Sequence, residues 1–280
     1  MRTPFLLLIT FIIVATGCQK HDSDSPSPQS PAITYISTLG DITYQGAKLS
    51  TIGRYHLLYD DNLRLSGLRM EDSVSNPSVD PANPDPLIVK RLIRYSFIWK
   101  DGKIAASNLD SMLTVETRGG KVVSEDGLAD SPYGIYFYSG QRLDSILFIT
   151  YTGQDHPKKT IFEYGHDGNI SKETDIFYPQ VSYPSLPGPK PAKTIATFKY
   201  DHHPNPWNLL VKQAGVILPG VLEGHNMSKN NVTETDLEVI YPGDTVNIRI
   251  SKTYTYNSAG YPVEEIMPGL QPDTIFYHYR

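Results

Sequence analysis

A short unit recurs along the chain and constrains the fold more than any other feature. It typically has two aromatic residues separated by one other residue, a polar turn that often contains Asp and Gly, and then alternating apolar and polar residues. Six copies are YHLLYDDNLRLSGL (55–68), YSFIWKDGKIAA (95–106), YFYSGQRLDSI (136–146), FEYGHDGNISK (162–172), FKYDHHPNPWNLL (198–210) and YTYNSAGYPVEEI (254–266). A period of two is the pattern of a half-buried strand, and Asp, Asn and Gly tolerate the positive φ of tight turns. Each unit except the fifth therefore predicts a β-hairpin.

The composition favours strands throughout. Of 280 residues, 19 are Tyr, 22 Pro and 21 Gly, and helix-favouring runs of Ala, Leu and Glu are scarce. The spacing between units drifts, which suits a meander with variable loops better than a strict solenoid. We therefore predict an all-β fold: an extended antiparallel β-meander sheet, either open or curled, that forms a single domain over residues 33–280.

The fifth unit carries the one helix that the pattern predicts. Its strand ends at a turn, after which Asn205 fits an N-cap and Pro206 fits the first helical position. An apolar face then follows at i, i+3, i+4 and i+7, formed by Trp207, Leu210, Val211 and Ala214. This predicts one short helix near residues 206–214.

Three further stretches give local expectations. Four prolines in Ser75–Pro86 and five in Pro179–Lys193 predict loops, because Pro cannot donate to a sheet ladder. Alternation across Thr245–Asn257 predicts one long strand.

The N-terminus reads as a targeting segment. Arg2 precedes an apolar run, Phe5–Ala15, that is short for a membrane span, and Ala15-Thr16-Gly17-Cys18 follows. These four residues resemble the lipobox of bacterial lipoproteins, with Ala15 in place of the usual Leu. The resemblance implies a signal peptide of residues 1–17, cleavage before Cys18 and a diacylglycerol thioether on its sulfur. The alternative is an ordinary secretory signal with an incidental cysteine.

Cys18 is the chain's only cysteine, so its lipidation leaves no thiol for a disulfide, a metal site or a nucleophile. Residues 18–32 are rich in Ser, Pro, Gln and charge, which predicts a disordered tether. A Lys and acidic residues directly behind Cys18 resemble the export signal of surface lipoproteins in Bacteroidetes-type bacteria. This implies an outer-membrane lipid anchor at the cell surface, with the periplasmic leaflet as the alternative.

The repeat units also resemble a family. Together with KYDHHPNPW and SKNNVT (228–233), they are similar to Bacteroidetes lipoproteins with degenerate YD/RHS-like repeats, a loose group of domains of unknown function. The Tyr-Asp pair itself occurs only at Tyr59-Asp60 and Tyr200-Asp201, and the Gly-Arg-Leu of RHS repeats is absent. The resemblance implies an extended antiparallel β architecture and brings no activity or site residues.

The densest cluster of possible metal ligands is Asp201-His202-His203, beside Trp207. A metal-assisted hydrolase would need a further ligand from His166, Asp167 or His225. Adjacent His side chains point to opposite faces of an extended backbone, so the competing interpretation is a polar turn leading into a helix cap. The chain lacks Gly-x-Ser-x-Gly, His-Glu-x-x-His and a glycine-rich phosphate loop.

Three observations bear on partners. The net charge of −5 comes without a basic run, which argues against nucleic acid, and no motif implies a cofactor. Surface aromatics would favour a glycan or an envelope protein, whereas aromatics at strand spacing usually belong to the core. An Asp-Ser/Thr-apolar pattern resembles the O-glycosylation acceptor of exported Bacteroidetes proteins and marks Ser73, Ser111, Ser145, Thr245 and Thr274. The sequence therefore predicts a lipid-anchored envelope protein with a binding or structural role, the alternative being the hydrolase.

Overall fold

A computed structural model describes residues 31–37, 40–76, 85–149, 157–178, 192–214, 224–268 and 273–280. Within these ranges the chain forms 17 strands, one α-helix and one short 3-10 helix, Gly224–Met227. The strands are β1 (Ile33–Ile36), β2 (Gly40–Gln45), β3 (Lys48–Ile52), β4 (Tyr55–Tyr59), β5 (Leu65–Asn76), β6 (Leu87–Lys100), β7 (Lys103–Arg118), β8 (Lys121–Ser139), β9 (Arg142–Phe148), β10 (Lys158–Tyr164), β11 (Ile170–Phe177), β12 (Lys193–Pro204), β13 (Asn230–Tyr241), β14 (Asp244–Ser251), β15 (Thr253–Tyr256), β16 (Pro262–Met267) and β17 (Asp273–Tyr279). The helix α1 is Pro206–Ala214, as predicted. The all-β fold class is confirmed.

The strands form one antiparallel meander that bends almost into a closed ring. From β1 to β14 each strand pairs with the next in the chain, and β15, β16 and β17 pair in the same way. The first strand also pairs with the last, with Ile33 opposite Tyr279 and Ile36 opposite Tyr277. The sheet is therefore curled until it is barrel-like.

The predicted long strand over Thr245–Asn257 is interrupted. It consists of β14 and β15, separated by Lys252. The break occurs because β14 pairs with β13 whereas β15 pairs with β16. Both predicted Pro-rich loops are trimmed at their ends, since Ser75 and Asn76 belong to β5 and Lys193 begins β12. Most of their remaining residues lie outside the described ranges.

The turn chemistry of the repeat unit is visible in the hairpin of β6 and β7. Asp101 and Gly102 connect the strands, and both have positive φ, of 50° and 75°. Two central residues with positive φ match the right-handed twist of the flanking strands. Asp-Gly at this point in the unit therefore selects the tight hairpin that the sequence predicts.

In four of the six units the aromatic residue before the turn makes a contact that the sequence pattern does not reveal, and Tyr279 at the end of β17 makes the same contact. In each case the polar atom of the side chain donates a hydrogen bond to a backbone carbonyl near the start of the second strand of the preceding hairpin. The pairs are Tyr59 Oη to Leu49 O (2.6 Å), Trp99 Nε1 to Leu65 O (2.7 Å), Tyr164 Oη to Leu143 O (2.8 Å), Tyr279 Oη to Pro262 O (2.7 Å) and Tyr200 Oη to Ile170 O. At these five places a side chain, as well as the sheet ladder, connects a strand to the preceding hairpin.

Apolar side chains of the repeat units form one continuous core. Its most buried members include Ile33, Ile36, Leu49, Ile52, Leu68, Leu109, Tyr133, Ile146, Ile170 and Leu210. Most of the aromatic residues belong to this cluster or pack against it. Of the two interpretations of the aromatic excess, the structure therefore supports the core.

Candidate functional site at the Asp201 turn

The candidate residues lie where β12 leads into α1. Asn205 caps the helix: its Oδ1 accepts a hydrogen bond from the backbone N–H of Trp207 at 3.0 Å. Pro206 occupies the first helical position, and Leu210 and Ala214 turn the apolar face into the core. The turn and helix therefore form in the manner that the sequence indicates.

The Asp201 carboxylate is engaged on both oxygens by groups of this chain. Its Oδ1 accepts the backbone N–H of His203 (2.9 Å) and that of Asn231 (3.1 Å). Its Oδ2 accepts the Asn231 amide at 3.0 Å and the hydroxyl of Tyr256. Burial, together with the Asp201 carboxylate, raises the pKa of Tyr256, so this phenol stays protonated and remains a donor. Asp201 thus holds β12, β13 and β15 together.

The two neighbouring histidines do not converge on one point. Both histidines are exposed, and the His203 ring stacks on Tyr256 with centroids 4.0 Å apart and an interplanar angle of 22°. His166 and Asp167 lie in the turn between β10 and β11. Across the described residues, no group of three or more His, Cys, Asp or Glu is arranged to hold a metal ion.

The last of the sequence candidates for ligand binding, Trp207, heads a buried polar chain. Its Nε1 donates to Tyr277 Oη at 3.0 Å, and that hydroxyl donates to Glu265 Oε2. Glu265 is only 1% exposed, and Lys252 Nζ lies 2.7 Å from its Oε1. Burial and the adjacent carboxylate raise the pKa of Tyr277. Trp207 thereby connects α1 to β16 and β17.

Ser228 and Asn169 organise this end of the sheet, and neither is among the candidate residues that the sequence indicates. Ser228 Oγ accepts from the backbone N–H of Ile170 (3.0 Å) and contacts Tyr200 Oη (2.9 Å). Asn169 Oδ1 accepts the backbone N–H of Lys229 (3.0 Å), and Asn205 Nδ2 donates to Ser228 O (2.9 Å). Ser228 and Asn169 are almost fully buried. The available signal is SKNNVT (228–233), a mostly polar run whose first two residues lead into β13.

The glycosylation candidates all lie within strands. Ser73, Ser111 and Thr245 are exposed, on β5, β7 and β14. Thr274 on β17 is half-buried, and Ser145 on β9 is 7% exposed. As placed here, three of the five side chains are open to a modifying enzyme.

Two surface features offer alternatives for ligand contact. Phe137 and Phe276 are 44% and 46% exposed. A depression of about 430 Å³ lies on β12, β13 and β14, and its lining includes the ion pair between Arg249 and Asp236 (2.5 Å). The depression is thus bordered by charge rather than by stacked aromatic rings.

Comparison with known proteins assigns no family. No protein-family model matches the chain, and no curated protein matches it significantly. Among the helices that the structure describes, none has the length and apolar character needed to span a membrane.

Proposed function

We propose that the protein is a lipid-anchored envelope protein, displayed at the outer surface of the cell, with a binding or structural role. The observation that carries this is the sequence Ala15-Thr16-Gly17-Cys18, in which the chain's sole cysteine follows small residues and an apolar run. Burial of acyl chains contributes about 0.8 kcal/mol per CH₂, so two or three chains on Cys18 would anchor the protein stably.

The proposed tether gives the β unit freedom to extend from the membrane. Residues 18–32 separate the lipid from β1, and 15 extended residues span at most about 50 Å. This reach lets the sheet contact a glycan or an envelope protein well outside the lipid headgroups. Phe137 and Phe276 are two exposed aromatic rings that would stack on such a ligand.

The geometry at Asp201 favours this role over the hydrolase. A catalytic metal site needs carboxylate and imidazole lone pairs directed at one ion with an open position. Both Asp201 oxygens accept hydrogen bonds from this chain, and the His203 ring is stacked on Tyr256. Metal analysis of purified protein separates the two functions: stoichiometric zinc that is lost in His203→Ala would support the hydrolase and contradict our proposal.

The anchor is tested by comparing the wild-type chain with Cys18→Ala in the native bacterium. We expect the wild-type protein in the outer-membrane fraction, labelled by radioactive palmitate, and the variant unlabelled. Added protease should degrade the wild-type protein on intact cells. Palmitate labelling that persists in Cys18→Ala would refute the anchor, and protection until the outer membrane is opened would refute surface display.

Ligand binding is tested on a glycan array. We expect Phe137→Ala to abolish any glycan signal, with Tyr178→Ala, another half-exposed aromatic, as the matched control. A wild-type protein that gives no signal on the array would leave the structural role.

A further inference from the structure

The strand β14 forms one of the open edges of the described sheet. Within the ranges that the structure describes, its ladder partner is β13 on one side, and its other side carries no ladder. Every residue from Asp244 to Ile248 is exposed, as are Arg249 and Ser251. A free sheet edge presents unpaired N–H and C=O groups that pair readily with another extended segment.

The register identifies which backbone groups are free. The N–H of Lys252 donates to Thr233 O at 2.8 Å, and the β13–β14 pairing continues from there without a shift. Because backbone groups alternate in direction along a strand, the even-numbered residues bond to β13. The N–H and C=O groups of the odd-numbered residues therefore face outward; they are Thr245, Asn247, Arg249 and Ser251. Of these groups, the Thr245 N–H is already bonded to Asp244 Oδ1 at 2.8 Å.

The end of β16 explains why this edge is open. Thr253 pairs with Ile266, so the register places Met267, the last residue of β16, opposite Lys252. Pro268 follows, and it has no N–H to continue a ladder. The neighbouring strand β16 thus covers β15 and stops opposite Lys252, the residue that follows the last residue of β14.

The edge also lacks three of the features that usually block strand addition, and its one cation, Arg249, is paired with Asp236. Its sequence, DTVNIRIS, contains no Pro and no Lys, and its pairing shows no bulge. Val246 and Ile248 are 41% and 44% exposed and share one face with Ile250. The depression on β12–β14 is lined by Asn247, Ile248 and Arg249, so the flank of the strand is also open.

We propose that β14 pairs antiparallel with β14 of a second copy of this chain, about a two-fold axis at Ile248. This register places Ile248 opposite Ile248 and Val246 opposite Ile250, which keeps the apolar faces of both copies on one side. Asn247 then lies opposite Arg249 and Thr245 opposite Ser251, and the Thr245 N–H exchanges its bond to Asp244 Oδ1 for one to Ser251 O of the second copy.

Two neighbouring registers are less favourable. An axis at Asn247 leaves the outward groups of Ser251 without a partner residue in β14. An axis at Arg249 sets two guanidinium groups opposite each other, and like charges opposite each other are destabilising. The Ile248 register brings no like charges together and leaves Lys252, which follows β14, paired with Glu265. The occupant that fits the edge is therefore a second copy.

Single cysteines test the register in the full chain. Ile248→Cys should form a disulfide dimer on mild oxidation, because a directly opposed pair has the Cα separation that a disulfide requires. Asn247→Cys should not, because in this register the two residues are diagonal neighbours, about 7–8 Å apart. Wild-type protein, whose sole cysteine is Cys18, is the control. Dimers formed through Asn247→Cys, or through neither variant, would overturn the proposal.

A second pair of variants tests the hydrogen bonds by sedimentation of detergent-solubilised full chain. Asn247→Pro removes an outward N–H and spares the ladder to β13, so we expect about a tenfold or greater loss of dimer affinity with the melting temperature of the monomer retained. Asn247→Ala keeps the N–H and should dimerise like the wild type. A monomeric wild type at tens of micromolar, or equal dimerisation of the Pro and Ala variants, would refute the pairing. Should the Pro variant not fold, the cysteine pair decides alone.

Discussion

Removing one hydroxyl group tests whether the aromatic residues that bond to the preceding hairpin stabilise the sheet through that hydrogen bond. In Tyr164→Phe the ring, and the Arg142 guanidinium 4.6 Å from its centroid, are retained. Only the hydrogen bond to Leu143 O, 2.8 Å long, is lost. The substitution therefore isolates one polar contact from the packing around it.

The expected loss follows from the surroundings of the carbonyl group. Leu143 is 8% exposed, and burial raises the pKa of the Tyr164 hydroxyl to about 12. Leaving a buried acceptor without a donor costs about 1–3 kcal/mol, and the hydrogen bond is only part-buried, so we expect about 1–2 kcal/mol. For a chain of this size that corresponds to a fall in melting temperature of about 2–8 °C.

The assay is thermal unfolding followed by circular dichroism, with urea midpoints as an independent measure. Tyr178→Phe is the matched control, because Tyr178 is 43% exposed and its substitution should change stability by less than about 0.5 kcal/mol. Equal melting temperatures for the two variants would refute the reasoning and leave the repeated tyrosines a packing role alone.

Three further predictions concern pH and the polar chains. Burial raises the pKa of Tyr136 and Tyr164 to about 12, against about 10 in the unfolded chain, so their contribution to stability is full below pH 10 and is lost as the pH rises from 10 to 12. Urea midpoints should fall across that range, and an unchanged midpoint at pH 11.5 would contradict this. Asp201→Ala should lower the free energy of unfolding by about 1.5–3 kcal/mol, because Asn231 and Tyr256 lose a charged acceptor. The control His202→Ala, at an exposed side chain, should leave stability unchanged. Equal effects of the two substitutions in chemical denaturation would contradict this prediction. Lys252→Met should lower the free energy of unfolding by about 3–5 kcal/mol, because the Glu265 carboxylate is left buried without its partner. Adding Glu265→Gln should recover most of that loss. A double variant no more stable than Lys252→Met would count against the buried pair.

Local features of the fold are readable from the sequence because they depend on neighbouring residues. Period-two alternation locates the strands, Asp101-Gly102 supplies the positive φ of a tight turn, and Asn205-Pro206 starts the helix. Each signal acts within a few residues, where intrinsic backbone preference is strongest.

Features that depend on distant pairing are not readable in this way. The pairing of Ile33 with Tyr279 that brings the sheet close to closure has no local signature, because any strand of similar alternation would serve as partner. The same holds at Asp201, whose role is set by Asn231 and Tyr256, residues on other strands. The break at Lys252 arises where the chain passes from one partner strand to another, which alternation alone does not reveal.

The central claim, that lipid on Cys18 holds this β unit at the membrane, is tested most directly by the intact mass of the mature protein from its native bacterium. We predict a chain that begins at Cys18 and carries a diacylglyceryl group on its sulfur and an acyl group on its amine. Additional mass on peptides with Ser73, Ser111 or Thr245 would reveal the glycosylation. A chain that retains residues 1–17, or one that begins at Cys18 with a free thiol, would contradict the account.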